Sequence, residues 1–66
     1  MTIENNYSED LKVKISFIDG QYLKTVDLSA NSKLQLNDLP QGILFFEFSK
    51  INGIIVKRSL VPVIKP

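Results

Sequence analysis

The chain has 66 residues, with eight Lys and Arg against seven Asp and Glu, and neither cysteine nor histidine. That length limits it to one domain, and the composition excludes disulfide staples and a Cys/His zinc site. A formal net charge of +1 lacks the concentrated positive field that binding to nucleic acid or an anionic membrane requires.

Residues 1–10 are polar and acidic, without the basic start and apolar run of a signal peptide, and read as a polar N-terminal arm. From Leu11 to Ile18 apolar residues alternate with Lys12, Lys14 and Ser16, the period of a half-buried strand. Asp19-Gly20 then predicts a two-residue hairpin turn with positive φ. That turn would set Leu11 against Leu28, Val13 against Val26, Phe17 against Tyr22, and Lys12 against Asp27 on the outer face. Lys24 falls opposite Ile15 on the inner face, where its stem would lie along the sheet and its ammonium reach water. Ser29 to Ser32 is a polar connection, and Lys33 to Leu36 alternates as a short strand. The Asn37-Asp38-Leu39-Pro40-Gln41-Gly42 segment is a loop, with Pro40 and Gly42 suited to its corners and Leu39 free to plug the core. Ile43 to Lys50 packs three phenylalanines into one strand, Asn52-Gly53 makes a second turn, and Ile54 to Val61 returns. This register sets Glu47 opposite Arg58 and Phe45 opposite Leu60. Pro62 and Pro66 are expected to stop further pairing, leaving 62–66 as a tail after a single domain at 11–61.

These elements give a small all-β, antiparallel sandwich of about five strands built on two hairpins. No internal repeat is read beyond a loose similarity of the hairpins. Nothing in the pattern supplies a reaction centre, because nucleophilic catalysis needs a base beside Ser or Cys and histidine is absent. The acidic residues Asp19, Asp27, Asp38 and Glu47 stand singly, without the spacing of a calcium loop. No enzyme activity, cofactor or metal is therefore expected. Asn6-Tyr7-Ser8 fits the glycosylation acceptor pattern, which matters only in a eukaryotic secretory route. Lys12 and Lys14 read as a solvated strand face that keeps an edge from aggregating.

The second hairpin is more informative. One face carries Leu44, Phe46, Phe48, Ile55 and Val61, and the other carries Ile43, Phe45, Ile54, Val56 and Leu60. A two-layer domain covers only one of them, so Ile43, Phe45, Ile54, Val56 and Leu60 are the candidate protein-binding residues.

The run Leu11 to Lys24, followed by Leu36-Asn37-Asp38-Leu39-Pro40-Gln41-Gly42-Ile43-Leu44-Phe45-Phe46 and then Asn52-Gly53, resembles the C-terminal sorting domain of cargo secreted by the bacterial type IX (Por) system. The likeness covers most of the chain but lacks the N-terminal segment usual in that family. It implies an immunoglobulin-like β-sandwich, recognised by a secretion machine and by cell-surface attachment enzymes and without catalysis of its own. A sorting domain normally trails a large cargo, and this sequence starts at Met1 without one. Function is therefore expected to be a non-catalytic protein-protein interaction module, extracellular or at the cell surface if the resemblance holds. The alternative is a structural or decoration subunit of a larger assembly, a surface fibre or virion, completed by neighbouring copies. In either case the expected partner is a protein or a second copy, engaged through exposed strand edges and the apolar hairpin face, with no nucleic acid and no membrane insertion.

Overall fold

The computed structural model describes residues 1–64 and is all-β and antiparallel. Its strands are β1 (Thr2–Asn5), β2 (Leu11–Phe17), β3 (Tyr22–Leu28), β4 (Ser32–Gln35), β5 (Gly42–Lys50) and β6 (Ile55–Val63). β2, β3, β5 and β6 form a four-stranded sheet in the order β3-β2-β5-β6, and β1 pairs with β4 in a second, smaller sheet. Buried Leu11, Val13, Ile15 and Leu28 from the first hairpin meet Leu44, Phe46 and Phe48 from β5, beneath Ile3, Leu36 and Leu39.

Six strands stand where the sequence pattern predicts five. The extra one, β1, lies inside the segment that reads as a polar arm, because its only aliphatic residue is Ile3 and its other inward side chain is Asn5. Asn5 is 1% exposed, and its amide is fully used. Nδ2 donates to the carbonyls of Glu9 (2.7 Å), Leu28 (3.2 Å) and Ser29 (3.1 Å), while Oδ1 accepts from the Tyr7 N–H at 2.9 Å. A polar side chain so satisfied can sit in a core without the usual desolvation loss.

Both hairpins follow the predicted register along their length, with Leu11↔Leu28, Lys12↔Asp27, Glu47↔Arg58 and Phe45↔Leu60. They depart from it beside their turns. Each turn is a three-residue loop rather than a two-residue one. The Phe17 N–H donates to Gln21 O (2.8 Å) and the Gly20 N–H to Phe17 O (2.9 Å), and Lys50, Ile54 and Gly53 repeat the arrangement at 2.8 and 2.9 Å. Within each turn the glycine alone takes positive φ, +96° at Gly20 and +91° at Gly53. Asp19 and Asn52 instead use their side-chain oxygens to accept from the N–H two residues on, at 3.0 and 3.1 Å. A three-residue loop shifts the register by one beside the turn, and a bulge at Leu23 or Val56 restores it farther along. Ser16, not Phe17, therefore faces Tyr22, and Ser49 faces Ile55.

Pro62 is also placed differently, within β6 and opposite Ile43 rather than beyond the ladder. The Ile43 carbonyl points toward β2, accepting from the Ile18 N–H at 3.1 Å, so Pro62 occupies a position whose missing N–H would face the free edge. The tail expected at 62–66 thus begins after Val63, and Pro66 lies outside the described residues.

The two halves of the chain repeat. Residues thirty-three positions apart play equal parts: Ile3 and Leu36, Leu11 and Leu44, Val13 and Phe46, Gly20 and Gly53, and the bulge residues Leu23 and Val56. β2 and β5 pair about Lys14↔Glu47, and β1 and β4 include Thr2↔Gln35, both pairs of such counterparts. Exchanging the halves maps Leu11↔Lys50 onto Phe17↔Leu44, so a local twofold relates them.

Candidate functional site

The inner face of the four-stranded sheet is core, and among the described residues its outer face has no second layer. Cross-strand register sorts that outer face into rows. One row runs Tyr22, Ser16, Phe45, Leu60, and Ile43 and Pro62 lie beside its Phe45–Leu60 end. Ile43 is 48% exposed and Leu60 57%, while Ser16, held between Tyr22 and Phe45, is only 7% exposed. A depression of about 240 Å³ opens between Tyr22 and Phe45, bounded by Lys14 and Glu47. Tyr22 is steadied by a 2.9 Å hydrogen bond between its hydroxyl and Thr25 Oγ1.

The next row is charged: Thr25, Lys14, Glu47, Arg58, with Arg58 Nε donating to Glu47 Oε2 at 3.3 Å. Beyond it lie Asp27, Lys12, Ser49 and Ile55, where Lys12 Nζ meets Asp27 Oδ1 at 3.0 Å. Ile51, Ile54 and Ile55 are exposed at the tip of the second hairpin, at the far end of the sheet from Phe45.

Of the five residues proposed from sequence, Ile43, Phe45 and Leu60 are brought together on this face. Ile54 is exposed but separated from them by the charged row. Val56 is half-buried and packed against the core, because the bulge rotates it inward and sends Ile55 out in its place. The same effect at the first turn puts Tyr22 on the outer face, a member that simple alternation hides.

The chain matches no family model, no curated protein and no solved structure. The site must be interpreted from its own chemistry. Among the described residues no group of three or more acidic side chains converges, so the surface offers aromatic and aliphatic contact area framed by paired charges.

A further open feature is a cleft of about 300 Å³ at the side of the sandwich, between β1 and β6. Phe46 and Phe48 line its floor, Thr2, Glu4 and Asn6 one wall, and Lys57 and Ser59 the other. Lys57 Nζ stands 5.6 Å from the centroid of the Phe48 ring, within range of a cation–π contact.

Proposed function

We propose that this chain is a non-catalytic protein-binding module that works through the uncovered outer face of its four-stranded sheet. The observation that carries the reading is the cross-strand row of Tyr22, Phe45 and Leu60, with Ile43 and Pro62 alongside. Aromatic and branched aliphatic side chains held side by side on a sheet bury much area at small entropic cost, and paired charges around them favour one docking register. The resemblance to type IX sorting domains supplies the finer form of the proposal, with a secretion machine as partner and the cell surface as destination.

A second reading, a structural subunit of a fibre or virion completed by neighbours, draws on the edges: among the described residues β1, β3, β4 and β6 each have one partner strand. Light scattering over a concentration series separates the two. A module is a monomer that binds a different protein, and a structural subunit forms a defined oligomer or polymer.

The surface itself is tested by Phe45→Asp and Leu60→Asp. Both variants are expected to keep the fold, with stability changes under about 1 kcal/mol, and to lose partner binding or self-association by about a hundredfold. Unfolding of both, seen by circular dichroism, would make this face core and remove the proposal. The sorting form has its own check: a passenger fused ahead of the chain should be exported by a bacterium carrying the type IX machinery, and retention inside the cell sinks that form alone.

A further inference from the structure

We infer that the cleft between β1 and β6 is a second binding site, which takes a single extended strand of a partner polypeptide added to the free edge of β1. This inference is independent of the outer-face reading, since none of the cleft's residues belongs to that row.

The backbone makes the first argument. Leu36 N–H donates to Met1 O at 2.6 Å and the Met1 amine to Leu36 O at 3.3 Å, so these two residues exchange bonds between β1 and β4. In an antiparallel ladder such pairs alternate, which commits Ile3 and Asn5 to β4 and turns the N–H and C=O of Thr2 and Glu4 away from it. Thr2 and Glu4 line the cleft, and among the described residues β4 alone pairs with β1. Donors and acceptors spaced two residues apart along a strand edge are matched by another extended backbone.

Shape and charge narrow the occupant. The upper layer has two strands over a sheet of four, and strands lie about 4.8 Å apart, so the layer has room for one more strand above β6. A second folded copy docking by its own β1 would bring a four-stranded sheet into the layer that β6 already fills. A tail or extended loop fits where a whole domain does not. Its alternate side chains would meet Phe46 and Phe48 on the floor. Lys57 has no carboxylate partner among the described residues and favours an acidic residue in that strand.

The repeat shows that this opening is a substituted position. Asn6, which lines the cleft, is the counterpart of Leu39, which is buried in the core, and Ser59 is the counterpart of Val26. One half of the molecule thus has apolar cover where the other presents polar groups able to bond an incoming backbone.

The test titrates the full chain with two capped synthetic heptapeptides of alternating valine and threonine, one with a central glutamate and one with a central lysine, followed by backbone amide NMR. The expected result is saturable shifts at Thr2 and Glu4, with the glutamate peptide bound about tenfold tighter. Lys57→Glu should reverse that preference, and Phe45→Asp should leave it unchanged. Glu4→Pro removes a cleft-facing N–H together with the Glu4 carboxylate and should abolish binding of both peptides; should that variant unfold, Ser59→Trp, which fills the cleft from β6, must abolish it instead. Absence of saturable shifts with either peptide at millimolar concentration, or binding that survives the blocking variant, overturns the assignment.

Discussion

The β2–β3 hairpin and the β5–β6 hairpin have the same three-residue turn, the same glycine with positive φ and the same bulge two residues into the returning strand. Their cover differs. Along the inner face of β3, Lys24 and Val26 are half-buried and Leu28 is buried, whereas on β6 the counterparts Lys57, Ser59 and Val61 are exposed, half-buried and half-buried. Turn chemistry is local, and it repeats here at the Asp19-Gly20 and Asn52-Gly53 steps. Cover depends on distant side chains, and there the halves have diverged: Leu39 caps the core, while Asn6 lines an open cleft. The comparison separates what the backbone requires from what the molecule has left available for contact.

The largest effect is expected where counterparts differ most in volume. Phe46 is 1% exposed and its counterpart Val13 is fully buried. Phe46→Ala should lose about 3–5 kcal/mol and Val13→Ala about 1–3 kcal/mol, measured by urea unfolding. For a domain this small the first loss approaches the whole of its stability. Equal losses would mean that the second half does not dominate the core, and the asymmetry would have to lie elsewhere.

Asn5 and its counterpart Asp38 break the repeat more sharply. Asn5 ties the end of β1 to the approach to β2 and the end of β3, through the buried Leu28 carbonyl and the partly buried carbonyls of Glu9 and Ser29. Asp38 is exposed in a loop, at φ +62°. Asn5→Ala is expected to destabilise by about 2–3 kcal/mol, since it removes the amide that bonds the buried Leu28 carbonyl and three partly buried backbone groups, and Asp38→Ala by less than about 1 kcal/mol. Amide exchange would report the first loss as early opening of β1. If β1 stays protected in Asn5→Ala, Ile3 and the ladder to β4 hold the strand without the amide.

These two sites also mark what the sequence discloses. Period-two alternation exposes β2, β3, β5 and β6 and most of their register, because each buries one face and a one-residue slip would expose the whole apolar set. It misses β1, whose burial rests on a satisfied amide that composition cannot distinguish from an exposed one. On the candidate surface, Ile43, Phe45 and Leu60 follow from alternation alone. Val56 and Tyr22 do not, because Asp-Gly and Asn-Gly fit both a two-residue turn and a three-residue loop with a bulge. The choice between these loops flips the residues on one side of it. The signal available was the matched pair: Ile18-Asp19-Gly20 and Ile51-Asn52-Gly53 stand at identical places in the two halves, and a bulge at one implies a bulge at the other.

The smallest predicted effect tests that equivalence directly. Gly20 and Gly53 both hold positive φ, and a Cβ built at either meets nothing within 4 Å, so alanine there is strained by backbone conformation alone. Gly20→Ala and Gly53→Ala should each destabilise by about 1 kcal/mol, the left-handed strain being partly offset by the lower freedom of alanine in the unfolded chain. In a domain of this size that is a fall in melting temperature of about 4–8 °C, and the two falls should match. D-alanine, introduced by chemical synthesis, accepts positive φ without strain while still restricting the unfolded chain, so it should raise stability at both positions. A loss at one glycine and none at the other would show that the turns share hydrogen bonds but not energetics, and that divergence reaches the backbone as well as the cover.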